Sequence, residues 1–154
     1  MTPSSPTGPT MSPVVAAGPP GMNLNLSPYL HFDGTAREAM TFYRSVLGGE
    51  LTMNTFGEYG MEGDGADGVM HAMLRTEEGL MFMASDLPPG TTLTPGDATV
   101  TIALSGDEEE RLTRWFHALA EGGEVHVPLE KQMWGDVFGQ LKDRYGVQWL
   151  VDIG

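Results

Sequence analysis

The 154-residue chain contains no cysteine, so disulfides and thiolate metal sites are excluded, and any metal would have to be held by His, Asp or Glu. Positive charge is scarce: eight Lys plus Arg stand against 21 Asp plus Glu, giving a formal net charge of -13. Such a chain lacks the basic face that phosphate backbones or anionic lipids require, which argues against nucleic acid and membrane partners. The acidity is read as a solvated surface. No apolar run approaches membrane-spanning length. A secretory signal needs a basic segment followed by about 7–15 apolar residues, and neither is present, so a cytoplasmic location is expected. No glycine-rich cofactor loop occurs either.

Residues 1–22 are dominated by Pro, Ser, Thr and Gly, and the composition predicts a disordered tail. Met22 stands just before the first strand-like run, so translation starting there would leave the tail outside the protein. The remaining residues, 23–154, suffice for a single domain with a real core. Leu24, Leu26, Leu30 and Phe32 alternate in a strand pattern over Asn23 to Phe32, and Pro28 inside it marks an edge strand or a position turned away from a neighbour. Thr35-Ala36-Arg37-Glu38 reads as a capping box. It opens a helix carrying Ala36, Ala39, Met40, Tyr43, Val46 and Leu47 at helical spacing, stopped by Gly48-Gly49. Strands are expected at Glu50 to Thr55, Val69 to Arg75 and Leu80 to Ser85, with an acidic, glycine-rich loop from Gly57 to Gly68 between the first two.

The second half repeats this order. A strand at Ala98 to Leu104 precedes a second capping box, Asp107-Glu108-Glu109-Glu110. The helix that follows, with Leu112, Trp115, Phe116, Leu119 and Ala120 on one face, stops at Gly122-Gly123, and strands fit at Glu124 to Glu130, Gly135 to Lys142 and Val147 to Ile153. An aromatic pair, a further stretch of helix and then Gly-Gly-Glu opening a strand occurs twice, at Phe42-Tyr43 with Gly48-Gly49-Glu50 and at Trp115-Phe116 with Gly122-Gly123-Glu124. Self-similarity at half the chain length means a duplicated supersecondary unit, module one over 23–90 and module two over 97–154. A single such unit leaves one sheet face uncovered and must bury it against another.

Pro28-Tyr29-Leu30-His31-Phe32-Asp33-Gly34, with Glu38-Ala39 and Phe42-Tyr43, resembles the opening of the PhnB-like branch of the vicinal oxygen chelate (glyoxalase, bleomycin-resistance and dioxygenase) superfamily. The likeness continues through Val69-Met70-His71-Ala72, Leu80-Met81, Ser85-Asp86, Met133-Trp134-Gly135-Asp136, Phe138-Gly139 and Asp143-Arg144-Tyr145-Gly146-Val147 with Trp149. It implies an α+β fold in which two βαβββ modules form a curved mixed sheet around a cleft with the helices outside, commonly in a homodimer. Metal-dependent members hold a divalent ion with His or Glu, two ligands from each module, as a Lewis acid. The matching positions here fall near Pro28, at Thr101, in Met81-Phe82-Met83 and near Leu150, none of which is a ligand, so no metal and no other cofactor is expected at the usual place.

His71, Met83, Asp86, Met133, Trp134 and Phe138 are the candidate pocket residues. His71 reads as a hydrogen-bonding group or general base, since histidine titrates near neutrality, or else as a satisfied half-buried histidine. His31 lies on the face opposite Pro28 by strand alternation and reads as structural. His126 and Glu130, an even number of residues apart on one strand, would share a face and, with His71, are the alternative ligands for a divalent ion. Met133, Trp134 and Phe138 suit an apolar wall, Asp86 and Asp136 are the carboxylates expected nearest the cleft, and no catalytic residue is assigned. Glu62, Asp64 and Asp67 do not match the calcium-loop pattern, and a flexible loop is expected there. The expected function is metal-independent binding of a small molecule by a homodimer. The alternatives are a divalent-metal lyase, isomerase or dioxygenase, and a structural or regulatory dimer whose cleft is filled by its own side chains.

Overall fold

The computed structural model describes residues 26–88 and 100–154, so the tail, the start of the first strand and residues 98–99 lie outside the described residues. The chain forms two compact units. In the first, strand β1 (Tyr29–Phe32) leads into helix α1 (Ala36–Leu47), of which residues 36–44 belong to this unit, followed by β2 (Glu50–Thr55), β3 (Val69–Arg75) and β4 (Met81–Asp86). The second repeats the order with β5 (Ile102–Gly106), α2 (Glu109–Ala120), β6 (Glu124–Lys131), β7 (Val137–Lys142) and β8 (Gln148–Ile153). Each unit carries a four-stranded mixed sheet, ordered β1-β4-β3-β2 and β5-β8-β7-β6, with the β1–β4 and β5–β8 pairs parallel and the rest antiparallel. The α+β architecture expected from the duplication is therefore present in both halves. The first strand is shorter than its alternation suggested: Leu26 is exposed and pairing begins at Tyr29. That strand is an edge of its sheet, where the carbonyl of Pro28 accepts from the Met83 N–H and the missing proline N–H costs no ladder bond.

Helix α1 packs on one face of its sheet. Ala36, Ala39, Met40 and Tyr43 are buried, and the Tyr43 ring meets Phe82 of β4 edge-on at 5.5 Å. Strand alternation and register then place Ala72, Leu74, Phe82, Ala84 and Asp86 on the helix side. In the second unit Leu112, Trp115, Phe116 and Leu119 of α2 are buried. Gly139 makes room for the Phe116 ring, because a Cβ there would stand 2.8 Å from it.

The repeated Gly-Gly has a steric origin. Gly48 and Gly122 both adopt φ +80° as the chain leaves its helix. The next glycine in each repeat approaches the far end of a neighbouring hairpin: a Cβ on Gly49 would run into the Arg75 carbonyl, and one on Gly123 into the Lys142 carbonyl. Those carbonyls lead into two equivalent turns. Thr76 closes one by taking the Leu80 N–H on its hydroxyl, and Asp143 closes the other by taking the Val147 N–H on its carboxylate. Asp143 also accepts from the Tyr145 N–H at 2.8 Å and the Trp149 indole N–H at 2.8 Å, which fixes the Asp143–Trp149 segment around one buried carboxylate.

The two capping boxes do not form. Neither Thr35 nor Glu108 makes a side-chain cap, and the second helix begins one residue later than its acidic run suggested. The first helical N–H of α1, on Ala36, is instead satisfied by Asp86 from the end of β4. The acidic loop after β2 is shaped by backbone bonds from Phe56 and Gly57 to Gly68 and Ala66, around a short 3-10 turn at Gly57–Tyr59.

Candidate functional site

On the sheet face turned away from α1, strand register brings together side chains distant in sequence. Tyr29 pairs with Met83, His31 with Ser85, Met73 with Met83, and Asn54 with His71. Since alternate residues share a face, Tyr29, His31, Asn54, His71, Met73, Met83 and Ser85 line one surface. The hydroxyl of Tyr29 lies 3.1 Å from His71 Nδ1, and that of Ser85 lies 3.4 Å from His31 Nδ1. The rings of Tyr29 and His31 stack at 5.3 Å with 28° between planes, and Tyr29 and His71 lie 5.9 Å apart. His71, Met73, Met83 and Ser85 are buried, whereas Tyr29 and His31 are exposed. The surface combines hydroxyl and imidazole hydrogen-bonding groups with two thioethers.

His71 and Met83, both expected at the pocket, share this surface. Tyr29, His31 and Ser85 were not expected there. His31 was placed by its parity with Pro28, but its partner lies 54 residues away in sequence, and only the parallel β1–β4 register reveals the pairing. Asp86 sits on the other face. It is buried, and its two oxygens accept from the Ala36 N–H and the Val69 N–H, each at 2.9 Å, so it ties the start of α1 to the start of β3. It also borders a cleft of about 430 Å³ within the first unit, lined by Asp33, Arg37, Phe56, Asp64, Asp67 and Leu87 among others. Across it the Arg37 guanidinium donates to the Asp67 carbonyl at 3.1 Å.

In the second unit Met133 and Trp134 are exposed, and Trp134 meets Phe138 edge-on at 5.9 Å. Hydrogen bonding to Asp136, then burial, then the charge of Asp136 raise the Asp152 carboxyl above its ordinary range, and its Oδ1 is the one buried side-chain polar atom without a partner among the described residues. His126 lies 3.3 Å from Glu124, and both His126 and Glu130 are exposed. Irregularities between Val125 and Val127 and between Val127 and Glu130 interrupt the alternation on which their common face was argued. Among the described residues no three His, Asp or Glu side chains form a group that could hold a metal ion. Pro28, Thr101, Met81, Phe82, Met83 and Leu150, the positions that the resemblance matches to metal ligands, carry no imidazole or carboxylate.

With this duplicated fold, the chain belongs to the glyoxalase/bleomycin resistance protein/dioxygenase superfamily, whose family model matches residues 26–151. Among solved structures it is similar to protein PA1353 of Pseudomonas aeruginosa, with 40% identity and a TM-score of 0.76 over 84% of this chain and 97% of that one. It is also similar to the PhnB protein of Bacillus cereus, with 29% identity and a TM-score of 0.65 over 85% of this chain and 100% of that one. Among curated sequences, Protein YjdN of Escherichia coli is 29% identical over 141 residues, covering 83% of this chain and 94% of that protein. No helix among the described residues is long and apolar enough to cross a membrane.

Proposed function

We propose that the chain is a metal-independent small-molecule-binding protein of the PhnB-like branch, acting as a cytoplasmic homodimer. The observation that carries this reading is the Tyr29–His31–His71–Ser85 cluster beside Met73 and Met83. Its polar groups stand within hydrogen-bonding distance of one another, an arrangement suited to recognising an organic ligand by stacking, thioether contact and hydrogen bonding. The positions that the resemblance matches to metal ligands carry no imidazole or carboxylate, which supports the metal-independent form of the reading.

The test is a thermal-shift screen of small molecules run with and without EDTA on the parent protein and on His71→Ala. A ligand that raises the melting temperature equally in both buffers, with its effect diminished in His71→Ala, is the expected result. Stabilisation that appears only with an added divalent ion would overturn the reading.

A further inference from the structure

We infer that the exposed Tyr29–His31 pair is a stacking platform for a neutral, planar heteroaromatic ligand; this rests on the small-molecule-binding reading above and names its ligand class. Two aromatic side chains two residues apart on an edge strand would ordinarily sample several rotamers. Here each is anchored by a buried partner from the sheet interior. His71, 7% exposed, holds the Tyr29 hydroxyl, and Ser85, 8% exposed, holds His31 Nδ1. The rings they anchor remain open, Tyr29 being 40% exposed, and are already stacked on one another at 5.3 Å. A pre-ordered aromatic surface spares a ligand the entropy of ordering it. An offset-stacked third ring gains the quadrupole attraction that a saturated ring cannot.

The polar atoms favour a heterocycle over a hydrocarbon. The Tyr29 hydroxyl oxygen keeps a lone pair with which to accept a hydrogen bond. With Nδ1 engaged by Ser85, His31 Nε2 is left to donate or to accept according to the tautomer. The strand partners nearest the pair, Asn54, Met73, Met83 and Ser85, contribute no formal charge, Glu50 and Arg75 farther along the same face are paired with one another in register, and the net charge of -13 opposes an anion.

Nicotinamide is a suitable probe, with cyclohexanecarboxamide as the neutral, non-planar comparison, both added to the full chain and followed by NMR. Nicotinamide is expected to bind the more tightly, to move its own ring protons and those of His31 upfield, and to weaken about three- to tenfold in His31→Leu. Equal binding of the two amides, absence of nicotinamide binding, or binding that leaves the His31 ring resonances unmoved would overturn the inference. The resonance criterion is read on the parent protein and does not depend on the variant folding. A metal-free organic ligand that touches neither ring would sink this inference alone, whereas a divalent-ion requirement would sink the binding reading beneath it.

Discussion

Replacing Asp86 by Asn tests whether this carboxylate holds the first unit together. Both of its oxygens accept backbone N–H groups, from Ala36 at the start of α1 and Val69 at the start of β3, and the side chain is 5% exposed. Asn keeps one acceptor and turns an NH2 toward the other N–H, so a charge-assisted bond is lost and a buried donor is left facing a donor. A hydrogen bond to a charged group contributes about 1.5–3 kcal/mol and an unsatisfied buried donor costs about 1–3 kcal/mol. These contributions overlap, and a net loss of about 2–4 kcal/mol follows once the partial access to water from the adjoining cleft is allowed for. At about 3–5 °C per kcal/mol for a domain of this size, the melting temperature should fall by about 6–20 °C. Asp33→Asn, an exposed residue of the same cleft, is the control and should stay within about 0.5 kcal/mol of the parent. Urea unfolding followed by circular dichroism, with the slope unchanged, gives the comparison. An Asp86→Asn protein whose melting temperature lies within about 2 °C of the parent would refute the reasoning.

Other consequences are equally direct. Asp143→Ala removes acceptors for Tyr145, Val147 and the Trp149 indole, and should cost about 3 kcal/mol with a change in near-ultraviolet circular dichroism from Trp149; an unchanged midpoint would contradict it. Gly123→Ala drives a Cβ into the Lys142 carbonyl and should destabilise by about 1–3 kcal/mol in the same assay. The Asp152 carboxyl is raised in the folded state, so the folded protein holds a proton that the unfolded chain has released. Stability should therefore fall as pH rises from about 3.9 through the raised value, and Asp152→Asn should flatten that slope in pH-dependent unfolding. EDTA treatment should leave the melting temperature unchanged in the parent protein, since no ion contributes to its folding on this account.

Much of the architecture is written in short-range pattern. Helical spacing in α1 and α2 gave elements close to those observed, because each helix buries one regular face. The doubled Gly-Gly-Glu was legible as a repeat, but its cause was not: Gly49 and Gly123 are needed where they meet a carbonyl of another strand. The capping boxes misled for the same reason. A local motif was assumed to satisfy the helix terminus, whereas Asp86, 50 residues further on, does so for α1. The site shows the same division. His71 and Met83 stood out within their own strands, while the pairing of Tyr29 with His71 and of His31 with Ser85 depends on a strand order, β1-β4-β3-β2, that alternation within one strand does not encode.

The most direct test of the central claim is native mass spectrometry of untagged protein, reading oligomer mass together with any retained metal or organic molecule. The account predicts a metal-free dimer that retains or takes up an organic ligand. A dimer carrying one divalent ion per chain would contradict it.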